Sequence, residues 1–400
     1  MELKKSGQSL AVAGCLVDRY PQELKAELPE VDLWLDTRSF PTEAVSLHEL
    51  AEAENPSGYI PLDRIDPTPK NVTVPWAGFS RVSLTPRHTS YLKISEGCDH
   101  SCAFCSIPSF KGKHRSVPID LLLHEARALV DMGAREITLI GQDIISYGKD
   151  LASDRSLNIG ELLAGLDSLP GLEWIRLLYT YPTRLADELE WAYANLEKMI
   201  PYLDLPLQHL SDPILDQMRR GTPYEGIRSH LSRLRSVSPD LVIRSTCIVG
   251  FPGETEEDFQ LLKSRFLELD VDHLGVFRYS DEEGTRAVNY ADKIPLELAE
   301  ERLAEMTEWS AAYCQRKAEN RIKQRVRLLI DSPALPPVED FDRVDPSGFW
   351  YVARWYGQAP EIDGVVYLRS ERERIAGEFV DGILTQACYP DYLAEVPSES

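Results

Sequence analysis

The chain has 400 residues, enough for two or three domains around a sizeable core, and a formal net charge of -22. A surface that acidic repels phosphate backbones, which argues against general nucleic-acid binding and leaves room for a basic protein partner. No run approaches the roughly 20 apolar residues of a membrane span, which excludes a membrane-spanning protein and predicts a soluble one.

In chain order, residues 1 to about 60 read as a small α/β piece. Within it SLAVAGC, ending at Cys15 with Lys4 and Lys5 upstream, mimics a lipoprotein cleavage site. Its apolar run, Leu10 to Gly14, is shorter than the roughly 7 residues such a signal needs, so the motif is not read as a signal. A Pro-rich stretch, PSGYIPLDRIDPTPKNVTVPWAG, makes residues 61–83 a linker.

From residue 84 to 322 strand-like runs alternate with helical patterns. The runs are YLKIS, ITLIGQD, WIRLLYT, YLDLPLQ, VIRSTCIVG and HLGVFRYS. Between the first two, PIDLLLHEARALVDMG has Pro118 near its start and Gly133 at its end, as a capped helix should. Six such units in series predict parallel strands with helical crossovers, a partial (β/α)6 barrel of α/β class. Barrels of this kind place their chemistry at the C-terminal ends of strands, and the first strand runs directly into Cys98. Residues 324–397 change character. RVRLLID, GFWYVARWY, GVVYL and AGEFVDGILTQACY, separated by Pro, Gly and Asp, predict a small antiparallel β-barrel.

The chemistry concentrates in EGCDHSCAFCSIP, where Cys98, Cys102 and Cys105 fall within eight residues. Seven cysteines, an odd number with three clustered and no secretory signal ahead of them, predict a reducing cytoplasm and metal ligation over disulfides. Thiolates at this spacing on a tight loop can bind three irons of one cube and leave the fourth open to a chelating ligand. Two other readings stand beside that one: zinc completed by His100 or His114, and an incidental surface cluster. Cys247, Cys314 and Cys388, in a strand, a helix and the last barrel, read as small packing residues.

CxxxCxxC at the end of a first strand is the signature that the radical S-adenosylmethionine enzymes carry. YLKISEGCDHSCAFCSIPSFKG, YLDLPLQH, IVGFPGETEEDF, FRYSDEEGTRA and APEIDGVVYL, in this order, resemble more closely the methylthiotransferases of that superfamily, and specifically the RimO type. The likeness covers essentially the whole chain. It implies methylthiolation of the β-carbon of an aspartate in ribosomal protein S-twelve, with a TRAM-like barrel at the C-terminus. It implies S-adenosylmethionine and a 4Fe-4S cluster as cofactors, the cluster held by Cys98, Cys102 and Cys105, with Phe104 directly before the last of them. Gln142 and Asp143 stand where the superfamily grips the methionine amino group. The turn GFPGET, Gly250 to Thr255 and including Glu254, follows the fifth strand where adenine is usually held, and Tyr279 ends the sixth. Cys15 resembles the third ligand of the family's auxiliary iron-sulfur cluster, whose first two ligands belong upstream of this start. On that reading the chain holds close to four irons rather than eight. Val117, in RSVP, stands where the family commonly has arginine, which implies a lost ion pair or substrate contact.

The partners implied are ribosomal protein S-twelve or the small ribosomal subunit, with no membrane, in the cytoplasm. Two alternatives share the motifs. A tRNA-adenosine methylthiotransferase should have a basic C-terminal barrel, yet from Arg325 to Ser400 there are 7 Lys and Arg against 14 Asp and Glu, a difference of -7. The other is a catalytically incomplete iron-sulfur protein of the same family.

Overall fold

A computed structural model describes residues 10–35, 85–151, 157–182, 187–339 and 341–397. The expected linker and the second half of the N-terminal piece lie outside the described residues. The first part of that piece is α/β. Strand β1 (Ala11–Ala13), helices α1 (Cys15–Arg19) and α2 (Pro21–Glu27) and strand β2 (Leu33–Leu35) follow in order, and the two strands pair in parallel.

The next part opens with β3 (Thr89–Lys93), which leads through the short strand β4 (Ser95–Glu96) into the cysteine loop. Helix α3 (Ile107–Lys111) follows the loop, and β5 (Arg115–Ser116) returns to pair with β4. Then α4 (Ile119–Asp131), β6 (Glu136–Ile140), α5 (Ile159–Asp167), β7 (Trp174–Leu177), α6 (Asp187–Asn195) and β8 (Met199–Asp204) alternate. Two helices, α7 (Asp212–Gln217) and α8 (Tyr224–Val237), precede β9 (Val242–Val249), and α9 (Glu256–Leu269) precedes β10 (His273–Arg278). The six long strands form one all-parallel sheet in the order β10-β9-β8-β7-β6-β3. All six expected strands are present, and the sheet is open, so the barrel is partial.

Local chemistry explains the helix ends. Asn158 accepts the Glu161 N–H at the start of α5, and Thr255 and Asp258 form a reciprocal capping box at the start of α9. Pro118 caps α4 and Gly133 leaves it at φ +112, a conformation glycine adopts without a Cβ clash.

Alternation along the strands separates two faces. Leu92, Ile137, Leu139, Ile175, Leu177, Leu203 and Ile243 pack into the larger core with the crossover helices. Trp174, Tyr202 and Val242 face the C-terminal barrel instead. The long helix α10 (Leu296–Glu319) leads to that barrel. It is a closed sheet in the order β11 (Arg325–Pro333), β12 (Phe349–Trp355), β13 (Val366–Ser370), β15 (Asp391–Glu395), β14 (Phe379–Cys388). Four of its pairings are antiparallel, and β13 with β15 is parallel. Strand β15, DYLAE, was not among the expected runs because only five residues, following Pro390, mark it.

Polar groups weld this barrel to the sheet. Fully buried Glu136 on β6 meets Arg176 of β7 at 2.8 Å and Arg354 of β12 at 2.7 Å, while Arg354 also pairs with Asp331 of β11 at 2.8 Å. Arg244 of β9 joins Asp204 of β8 to Asp363 of the barrel.

One expectation needs correcting. Cys388 is exposed rather than buried, although Cys247 and Cys314 are buried as expected. Val117 is 1 % exposed and belongs to the larger core, its N–H bonded to the Ile94 carbonyl and its own carbonyl to the Tyr147 hydroxyl.

Candidate functional site

The cysteine loop sits at the C-terminal edge of β3, where β4 and β5 pin its two ends. Gly97 makes the turn into it at φ +79, and a Cβ there would come within 2.2 Å of the Lys113 carbonyl oxygen. Gly97→Ala is therefore expected to displace the loop and to cost the chain most of the iron it binds, as measured by iron analysis after anaerobic reconstitution.

Cys98, Cys102 and Cys105 line one cavity of about 210 Å3, together with His100, Phe104, Gln142, Tyr181, Gln208 and Arg220 among others. The His100 N–H bonds the Cys98 sulfur and the Ile107 N–H bonds Cys105. Burial pushes the Cys98 thiol up to about 11 and raises Cys105 too, so each thiolate needs a cationic partner in order to form.

Among the described residues no three His, Cys, Asp or Glu side chains converge on a single metal ion. No zinc site closed by His100 or His114 is assembled among the described residues, and either histidine would have to ligate through Nδ1. His100 Nε2 is bonded to Asp143 at 2.8 Å and His114 Nε2 to Ser116 at 3.1 Å. A polynuclear cluster spaces its ligands more widely than one ion does, and three thiols around a cavity with backbone N–H groups at two sulfurs fit that donor set.

The other expected residues divide. Phe104 and Gln142 line the cysteine cavity, and the Gln142 side-chain carbonyl accepts the Gly97 N–H at 2.7 Å. Asp143 is 2 % exposed and bonds His100, Ser146 and the Ile145 N–H, the last as a cap. Burial raises its carboxyl, but the bonds from His100 and Ser146 outweigh that and hold it below its ordinary value. Gly250 turns at φ +72 against α10, where a Cβ would meet the Ala299 Cβ at 2.8 Å. Glu254, buried, accepts the Gly250 N–H and pairs with Arg302 at 2.8 Å. Both therefore hold the turn after β9 and lie outside the cavity lining. Tyr279 lines a second cavity of about 290 Å3, which adjoins the first because Phe104 and Gln208 line both. Cys15 is exposed at the start of α1, and its sulfur is within hydrogen-bond reach of Lys111, which pairs with Glu96 at 2.8 Å.

Three residues of the site went unforeseen. Tyr181 stacks on His100 with ring centroids 3.5 Å apart and brings its hydroxyl to 3.3 Å from the Cys102 sulfur. Arg220 lies over the Tyr181 ring. Gln208 is held at φ +72 beside β9. Positive φ at a non-glycine residue is a strained feature that clusters at functional sites, but sequence does not reveal it. Tyr181 and Arg220 sit in loops beyond β7 and α7, and no spacing in the sequence ties them to the cysteines.

Comparison with known proteins agrees with this architecture. Residues 92–264 match the radical SAM superfamily model and residues 324–396 the TRAM domain model. The ribosomal protein uS12 methylthiotransferase RimO of Aquifex aeolicus is 40% identical over 386 residues, 96% of this chain and 81% of that one. The enzyme of the same name from Myxococcus xanthus is 40% identical over 99% of this chain and 78% of its own. That of Thermotoga maritima is 38% identical over 95% and 81%. A cysteine-lined cavity on an open parallel sheet, a TRAM barrel behind it and this identity over nearly the full length have one meaning: the chain belongs to the RimO family of radical S-adenosylmethionine methylthiotransferases.

Proposed function

We propose that this chain methylthiolates an aspartate of ribosomal protein uS12, the protein that its relatives' name specifies. One observation carries the reading: three thiols spaced CxxxCxxC line a single cavity at the C-terminal edge of a parallel sheet, in a chain of that family. Cys98, Cys102 and Cys105 would hold a 4Fe-4S cluster with one iron open. When bound, the cluster supplies the one-electron cleavage of S-adenosylmethionine that yields a carbon radical.

The chain's own groups bind, orient and exclude water. With its oxygen bonded to Gly97, Gln142 offers a ligand its amide N–H2, a donor suited to the methionine carboxylate rather than to the amino group that the resemblance implied. Phe104, Ile107, Pro108 and Pro206 wall the cavity with apolar surface and limit the water that reaches a reactive radical. The adjoining cavity at Tyr279, between Thr246 and Arg278, has room for the rest of the S-adenosylmethionine molecule. The turn from Gly250 through Glu254 supports that end by fixing the loop after β9. A second cluster would need more thiolates than Cys15, so the sulfur-carrying step is assigned to none of the described residues. The barrel's 7 basic against 14 acidic residues, a difference of -7, suits a basic ribosomal protein better than an RNA.

The test is an anaerobic incubation of the reconstituted chain with S-adenosylmethionine, a low-potential reductant and either uS12 or tRNA, each read by mass spectrometry. Cleavage of S-adenosylmethionine and binding of uS12 in preference to tRNA are expected, the binding weakening as salt rises, and a methylthio mass on the uS12 aspartate is expected wherever a second cluster is also supplied. Modification of tRNA adenosine with uS12 untouched would reverse the choice of substrate.

A further inference from the structure

Arg220 lines the cysteine cavity as a buried cation without a carboxylate partner among the described residues. It follows Arg219, at φ +59, and precedes Gly221, at φ +72, so two left-handed residues set its direction. The residue is only 4 % exposed. One guanidinium nitrogen lies 3.5 Å from the Cys102 sulfur, another donates to the Pro206 carbonyl at 2.5 Å, and the group sits 4.1 Å from the Tyr181 ring centroid. Its Nε is buried and has no partner. Among the described residues no acid pairs with it. An isolated buried guanidinium is strongly unfavourable, and it stays charged at every working pH, so the site calls for a negative group.

Sulfur is the nearest candidate. Arg220 touches Cys102, and its charge also favours the thiolate of Cys105. We infer that Arg220 is a positioning residue for radical generation: its guanidinium is the fixed counter-charge of the group held by Cys98, Cys102 and Cys105, and it raises that group's reduction potential. This rests on the proposed cluster-binding role of the three cysteines. A one-electron reduction adds a unit of negative charge next to the sulfurs, and a cation at a ligand sulfur stabilises the reduced form more than the oxidised one. Gripping a carboxylate of S-adenosylmethionine or of the substrate is the competing role. Two of the three guanidinium nitrogens are already engaged within the protein, so a bidentate grip would require giving those bonds up.

The full chain, Arg220→Gln and Arg220→Lys are compared after anaerobic reconstitution by iron analysis, by redox titration followed by electron paramagnetic resonance without S-adenosylmethionine, and by equilibrium binding of S-adenosylmethionine. Arg220→Gln is expected to keep its iron, to reduce about tenfold less favourably, a midpoint lower by about 59 mV for one electron, and to bind S-adenosylmethionine within about twofold of the parent. Arg220→Lys should recover most of the potential, because the charge is kept. An unchanged potential with weakened S-adenosylmethionine binding would overturn the inference and make Arg220 a ligand-gripping residue. Should the Gln chain hold no iron, the Lys chain decides: iron retained near the parent potential supports a counter-charge, and iron lost despite the charge overturns it. A parent chain that binds no iron would instead remove the cluster reading beneath.

Discussion

A chain in which Cys98, Cys102 and Cys105 are all alanine is expected to bind no redox-active iron and to lose reductive cleavage of S-adenosylmethionine entirely. The three thiols lie around one cavity, and among the described residues no other group of His, Cys, Asp or Glu that could hold a metal is assembled. Cys247 and Cys314 are buried in the core, and burial raises both thiols, so neither substitutes as a ligand. No open iron then remains to chelate the methionine moiety, and the chemistry that belongs to the cofactor has no protein-only substitute. Circular dichroism of the variant should match the parent, since the loop ends are held by β4, β5 and Gly97 rather than by metal. Iron and sulfide analysis beside assay of 5′-deoxyadenosine checks this, and cleavage retained in the triple variant would remove the assignment.

Replacing Glu136 by alanine is expected to destabilise the chain by about 3–5 kcal/mol, the usual consequence of removing one partner from a buried ion pair. The carboxylate is fully buried between Arg176 and Arg354, so its loss leaves Arg176 without a charged partner and Arg354 with Asp331 alone. Denaturant unfolding measures the change, and a loss below about 1 kcal/mol would show that the network adds nothing to the attachment of barrel to sheet. The same network sets a pH dependence. Burial raises the Glu136 carboxyl, but Arg354 and Arg176 outweigh it and hold the group below its ordinary 4.5. Burial likewise raises Asp331, and His88 and Arg354 bring it below 3.8. Folded values below unfolded ones mean that their stabilisation is complete above those ordinary values and is lost as pH falls through the lower, folded ones. Acid should therefore loosen the barrel from the sheet, and Glu136→Ala should flatten that part of the acid transition.

Periodicity and spacing carried far in this chain. All six parallel strands, the helix from Ile119, the cysteine loop and four of the five barrel strands were legible, because strand alternation, capping residues and thiol spacing are local properties. The short strand Asp391–Glu395 escaped because five residues carry too little pattern, and its parallel pairing with Val366–Ser370 is decided by closure of the barrel. Cys388, read as buried, is exposed near the end of its strand.

By itself, then, the sequence determined the order of elements, the family resemblance and the three thiols, each written in neighbouring residues. Only the tertiary structure decided which distant groups meet. It brought Tyr181 and Arg220 to the Cys102 sulfur, Arg354 to Glu136, and Asp363 to Arg244. It also turned Glu254 and Asp143 to local hydrogen bonds and placed Val117 in the core. The physical reason is that a buried charge takes whichever counter-charge packing delivers. That choice depends on strand register and on how the barrel docks, and neither is encoded within any one segment.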